Sequence, residues 1–171
     1  MKTTIKATPL WALLVTTSIL SGLQSQTLFA TDAKDEGVAK VVYHVDFADP
    51  KRISAMLVNI YNMTTAYEDD FREYDIRVVF NAHGIRFLTT DRLAGTPFEV
   101  DDKTAALRKD LIARISSLQK TRNINLSYCN ITREAIGLDE GSLIPGVNRV
   151  SSGVVEVANL QHQGFAYLKT Q

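Results

Sequence analysis

"KVVYHVDFADPKRISAMLVNIYNMTTAYEDDFREYDIRVVFNA" (residues 40–82) changes its apolar period twice. Residues 40–47 are a β-rich apolar run that stops at Asp49-Pro50. Asp49 suits a helix N-cap, because its carboxylate can accept from a free N–H of the first turn. Pro50 suits the first helical position, where no N–H is needed. Ile53, Met56, Leu57, Ile60 and Met63 then recur at helical spacing, which predicts an amphipathic helix to about residue 69. Residues 74–82 return to a strand pattern. "VVYHV" and "IRVVF" are almost continuously apolar, as strands covered on both faces must be.

The alternation continues downstream. After His83-Gly84 and the short apolar segment "IRFLTT", a loop containing "AGTP" leads to Asp101 and Asp102, both candidate caps. Ala105, Leu107, Leu111, Ile112, Ile115 and Leu118 form the next helical stripe. "NINLSYC" (123–129) predicts a third strand and "TREAIGL" a short helix. Pro145-Gly146 turns the chain into "VNRV", a fourth strand. Ser151 or Ser152 is placed to cap a helix through "GVVEVANLQHQ", with Gly164 at its C′ position. "FAYLK" (165–169) is the last strand. This order predicts an α/β domain, residues 39–171, built on a mostly parallel sheet.

Upstream, a cationic start with Lys2 and Lys6 precedes the apolar "PLWALLVTTSIL" and then "SGLQSQTLFA". That arrangement predicts a secretory signal peptide over residues 1–30, cleaved after Ala30. The apolar part is shorter than the roughly 20 residues a spanning helix needs, so the expectation is export to the periplasm with no membrane association after cleavage. Residues 31–38 read as a disordered polar lead-in. Of 19 bases, cleavage removes Lys2 and Lys6, leaving 17 against 19 acids. Such a chain has no electrostatic footprint for nucleic acid or an anionic membrane. One cysteine, Cys129, cannot form an internal disulfide, so packing alone must hold the fold.

In an open parallel sheet, ligands bind beyond the carboxyl ends of the strands. The residues there are His44 and Asp46, then Asn81 and His83, then Cys129 and Asn130, then Ser151 and Ser152. Cys129 ends a strand and precedes a helix, whose N–H groups favour a thiolate, and Arg133 can add positive charge. It is either a nucleophile for sulfane sulfur or a small buried apolar residue; the pattern alone leaves both open. His83 is a candidate proton donor or acceptor, or a loop histidine bonded to backbone. Gly84 allows close backbone approach or a positive φ. His44, inside an apolar strand, reads as a core histidine, and Asp46 as a cap before Pro50. His162 reads as a surface residue. No histidine or cysteine has ligand spacing such as H-x₃-H or C-x₂-C, so neither a metal site nor a cofactor is expected.

Four stretches together resemble the DsrE/DsrF-like family, which includes sulfur-relay subunits such as TusD. They are "VVYHVDFADPKRISAMLVNIYN", "DIRVVFNAHGIRFL", "INLSYCNITREAIGL" and "LIPGVNRVSSGVVEVANLQHQGFAYLK". The likeness is greatest to exported single-domain members and covers residues 40–169. It implies a three-layer α/β/α sandwich with a five-stranded parallel sheet ordered 4-3-2-1-5. That order would make the second and third strands neighbours, bringing His83 and Cys129 within approach. The resemblance also implies a cysteine that accepts sulfur as a persulfide, and assembly as a homo-oligomer or with paralogues. The chain differs from relay members in being read as exported and in lacking a second cysteine.

The function expected is a periplasmic sulfur carrier or sulfurtransferase-like protein, which carries or transfers sulfane sulfur as a persulfide. Cys129 and His83 are its chemical residues. Asn81, Gly84, Asn130 and the Ser151–Ser152–Gly153 helix start bind an anionic sulfur donor, and the acceptor is an external thiol or protein. The alternative is an oligomeric module that binds a small ligand or a metal without chemistry.

Overall fold

The computed structural model describes residues 37–170; the expected signal peptide and the lead-in up to residue 36 lie outside them. Strands β1 (Ala39–Val45), β2 (Tyr74–Phe80), β3 (Asn125–Cys129), β4 (Asn148–Val150) and β5 (Ala166–Leu168) form one sheet. Its order is β4-β3-β2-β1-β5, with every neighbouring pair parallel. This is the topology the resemblance implied. It puts Cys129 at the carboxyl end of a strand that borders β2 directly.

Helix α1 (Pro50–Asp69) starts as its sequence requires: Asp49 Oδ1 accepts the Lys51 N–H at 2.8 Å, with Pro50 in the first turn. Asp46 is exposed and plays no part in this cap, which corrects its reading as the capping residue; Asp49 is nearer the helix and takes the position. Helix α2 (Asp102–Thr121) is capped in the same way by Asp101, which accepts the Thr104 N–H at 2.6 Å. Ile53, Met56, Leu57 and Ile60 of α1 and Leu111, Ile115 and Leu118 of α2 pack on Val41, Tyr43, Val45, Ile76, Val78 and Phe80. That cluster is the larger core.

The opposite sheet face is covered more lightly. Helix α4 (Gly153–His162) lays Val157 and Leu160, with Phe165 beyond it, on Val42 and Val79. It ends where Gly164 takes φ +89°. The Gly164 N–H returns to the Gln161 carbonyl and the Phe165 N–H to the Leu160 carbonyl, a Schellman closure. Helix α3 (Asn130–Ala135) is a short spur off β3. Ser152 holds the N-cap position of α4, but its hydroxyl makes no capping bond, and Ser151 is not the cap.

The apolar segment after β2 is a 3₁₀ helix, Ala82–Leu88, longer than such helices usually run. A buried arginine on α2 secures it. Arg108, 2 % exposed, donates to the carbonyls of Arg86 at 3.3 Å and Thr90 at 2.9 Å. Among the described residues no helix is long and apolar enough to cross a membrane.

Candidate functional site at the carboxyl edge of the sheet

Strand parity decides which edge residues meet. Val42 of β1 and Val79 of β2 both lie under α4, and Val79 pairs in register with Ser127 of β3. Side chains two residues on share the same face, so His44, Asn81 and Cys129 line up on the α4 side. A hydrogen bond at 2.8 Å joins His44 Nε2 to Asn81 Oδ1. Since Oδ1 is a carbonyl oxygen, the imidazole donates. His44 is half-buried and so is Asn81.

Helix α4 approaches this row at Gly153. A Cβ built there would lie 3.0 Å from the Asn81 Cβ and 3.2 Å from the Cys129 Cβ. A side chain at that point would wedge the helix off both residues. Glycine is therefore what lets the first N–H of α4 reach the thiol.

Cys129 is buried, 5 % exposed, and free. Burial pushes its thiol up, since a buried thiolate loses hydration. The Gly153 N–H, the Thr132 hydroxyl and N–H and the Ile131 N–H act the other way, and the net direction is down from the usual 9.0. Cys129 sits at the N-cap position of α3 without a formed capping bond. What favours its anion is a convergence of positive dipole ends rather than one strong bond. Thr132 is set for this task because its oxygen accepts the Ala82 N–H at 3.1 Å. The hydroxyl proton is then free to turn towards sulfur.

Thr132 was invisible as a site residue in the sequence, where it is simply one of the helix residues after the cysteine. A Thr132→Val variant keeps the shape and removes the hydroxyl. Its Cys129 pKa should rise, slowing iodoacetamide alkylation at pH 7 about three- to tenfold, an effect of roughly one hydrogen bond to a charge. The rate–pH profile reads this, and an unmoved midpoint would remove Thr132 from the site.

Ala82, between Asn81 and His83, holds φ +43°, a left-handed conformation disfavoured for alanine. The turn it makes is tied to the end of β1. The Asn81 N–H donates to the Val45 carbonyl at 3.0 Å and the Gly84 N–H to the Asn81 carbonyl at 2.8 Å. Gly84 is needed for close approach, not for a positive φ, since a Cβ there would fall 2.0 Å from the Val45 oxygen.

The other expected residues are placed as follows. His83 is half-buried; its Nδ1 accepts from Arg86 Nη2 at 3.0 Å. Its ring meets the edge of Phe98 with centroids 4.7 Å apart. Among the described residues His83 is not one of the thiol's polar neighbours. Asn130 is 7 % exposed and both ends of its amide are taken, Nδ2 by Glu134 and Oδ1 by Arg133. Arg133 also donates to the Leu138 carbonyl and pairs with Glu134, so its guanidinium is engaged away from the thiol. Ser151 is exposed, and its carbonyl accepts the Ile131 N–H at 3.4 Å.

Hollows open elsewhere. One of about 240 Å³ lies between α1 and α2, lined by Leu57, Val58, Tyr61, Arg114, Ser117 and Leu118. It is lined by no cysteine, histidine or carboxylate, so the converging donors at Cys129 define the site better than volume does. Among the described residues no three of His, Cys, Asp and Glu gather as metal ligands.

The DsrE/DsrF-like family matches residues 38–170. No curated protein matches the chain. Among solved structures, MTH1491 of Methanobacterium thermoautotrophicum, a protein of unknown function, is 26% identical with a TM-score of 0.58. The match covers 77% of this chain and 98% of that one. The ychN protein of E. coli is 15% identical with a TM-score of 0.44, over 77% of this chain and 99% of its own. By a family match that spans nearly every described residue, the chain belongs to the DsrE/DsrF-like family.

Proposed function

We propose that this protein is an exported, periplasmic sulfur carrier whose single cysteine is loaded by an anionic sulfane-sulfur donor. The observation that carries the reading is the set of donors around Cys129, which outweighs burial and favours the thiolate. The thiolate is the form that attacks sulfur. Family membership supports the same direction, since the family includes sulfur-relay subunits.

With thiosulfate as donor, the Cys129 thiolate attacks the outer sulfur. A new S–S bond forms at Cys129, the bond to the sulfonate sulfur breaks, and sulfite leaves with that electron pair. No oxidant is consumed. Unloading is attack by an external thiolate on the outer sulfur of the persulfide, with Cys129 leaving as thiolate. Within this reading Asn81 and the Gly153 start of α4 hold the donor, and Ser151 and Ser152 border it. His83, protonated at Nε2 because Nδ1 accepts from Arg86, serves the leaving group rather than the thiol.

Intact-mass analysis of protein purified without reductant and incubated with thiosulfate or polysulfide tests the proposal. The expected result is a gain of one or more sulfur atoms at Cys129, reversed by reductant. The same spectrum reads export, because the mature chain should begin at Thr31. An unchanged mass, with a thiol that labels only after unfolding, would sink the carrier.

A second reading is favoured by the burial of Cys129: a module that binds a small anion or metal at the same edge with no covalent step. A rise in melting temperature on adding the ligand should then survive Cys129→Ser and be lost in His83→Ala.

We further propose a homo-oligomer. Ile131, Val154 and Val155, at the starts of α3 and α4, are 61 %, 58 % and 54 % exposed, an apolar rim that a second copy would cover. Sedimentation should give a multiple of the chain mass for the wild type and a smaller species for Val154→Asp. A wild type that sediments as a monomer at every concentration would refute it.

A further inference from the structure

We infer that Asn81 is the residue by which the site recognises a negatively charged ligand, and that His44 is the positioning residue that turns its amide to do so. The inference rests on the sulfur-donor reading above and names the chemistry that selects the donor.

A side-chain amide offers two faces of opposite sign, and which one meets the ligand depends on what holds the other. In Asn81 the oxygen is engaged: His44 Nε2 donates to Oδ1 at 2.8 Å. The same bond therefore leaves the two N–H donors of Nδ2 for the ligand. Were the amide reversed, its oxygen would face the anion and repel it, and the imidazole would have to carry its proton on Nδ1 to accept the amide N–H. The backbone restrains the residue further, because the Asn81 N–H is bound to the Val45 carbonyl and its own carbonyl accepts the Gly84 N–H.

Position supports the assignment. Gly153 sits between Asn81 and Cys129, with its Cβ direction 3.0 Å from one Cβ and 3.2 Å from the other. Both contacts lie on the same sheet face and put the Asn81 side chain next to Cys129, with the Asn81 Cγ 3.5 Å from the same point. The Asn81 amide thus extends the array formed by the Gly153 N–H and the Ile131 and Thr132 groups. It adds side-chain donors, held in one orientation by His44, to the backbone donors. A donor arriving with negative charge beside its sulfane sulfur finds that charge matched, whereas a neutral one gains nothing there. His44 bonds to the amide rather than to the thiol, so it acts only through Asn81.

The test compares alkylation of Cys129 by iodoacetate, an anion, and iodoacetamide, a neutral reagent of nearly the same shape. Both require the thiolate, so the ratio of their rates cancels any change in the thiol's ionisation. Asn81→Asp puts a like charge in place of the donors, and its ratio should fall about tenfold. His44→Leu should lower the ratio about threefold, the loss of one orienting hydrogen bond. His44→Gln, which can still donate to Oδ1, should restore it. Asn81→Ser, a smaller change, should lie between the wild type and Asn81→Asp and stands in should the aspartate variant not fold. A ratio unmoved by either Asn81 substitution overturns the recognition role. Equal ratios in His44→Leu and His44→Gln overturn the positioning role. The sulfur reading fails separately: a wild type whose ratio responds as described but gains no mass from thiosulfate recognises anions without carrying sulfur.

Discussion

Cys129→Ser protein incubated with thiosulfate should gain no sulfur at all, while its fold and melting behaviour stay close to wild type. The two expectations belong together. Cys129 is the chain's only thiol, so no other side chain can take up a persulfide. A serine oxygen at the same place meets the N–H groups of Gly153, Ile131 and Thr132. It is an acceptor among donors, and the cost of burying it should be about 1 kcal/mol or less. Loss of uptake is then loss of the nucleophile and not of the structure. Sulfur uptake retained in the variant would remove Cys129 from the chemistry.

The same pair of proteins has a pH signature. The folded state holds the Cys129 pKa below its usual thiol value, so the unfolded chain binds more protons there across the interval between the two. Stability of the wild type relative to Cys129→Ser should therefore rise with pH through that interval. The thiolate's contribution is fully present above the unfolded value and is lost as pH falls through the folded one. Urea denaturation at a series of pH values measures the difference. A difference that falls with rising pH would mean that burial wins and the thiol is raised.

Gly84→Ala should be the most damaging single-carbon change near the site. The added Cβ falls 2.0 Å from the Val45 carbonyl oxygen and 2.8 Å from its carbon. Both atoms are main chain, and they belong to the end of a central strand that pairs along its whole length with β2. Neither can rotate away as a side chain would. Relief requires lifting the 3₁₀ helix Ala82–Leu88 from the sheet, which strains its bonds to Asn81 and its packing. The expected cost is about 3 kcal/mol or more, at the upper end of overpacking penalties. A measured loss below about 1 kcal/mol would show that the turn yields easily. Because Ala82 also anchors Thr132, any folded Gly84→Ala protein should have a slower thiol as well.

Much of this protein was legible along the chain. Local rules carry helix starts and stops, since a cap bonds to residues two or three places away. Asp49 with Pro50, Asp101, and Gly164 all stand where their chemistry predicted. Strand positions followed from apolar runs, with a residue or two lost at their ends. The expected 165–169 strand keeps only Ala166–Leu168, at a sheet edge with one neighbour. The strand order came from family likeness and not from pattern, because periodicity says that a strand is buried but not beside which partner.

The sequence by itself determined a parallel α/β domain with one thiol at a strand end. Which groups surround that thiol was decided only by the tertiary structure. His83 was nearest in expectation, yet its bond is to Arg86, three residues along its own 3₁₀ helix. His44, read as core, holds Asn81 from a strand 37 residues away. Thr132 is placed by Ala82 across a separation of 50, and Gly153 by the packing of α4 on the sheet face that carries Val42 and Val79. The physical reason is range. Backbone propensity and capping act over one turn, whereas a lowered thiol pKa is the sum of dipoles that only packing brings within a few ångströms.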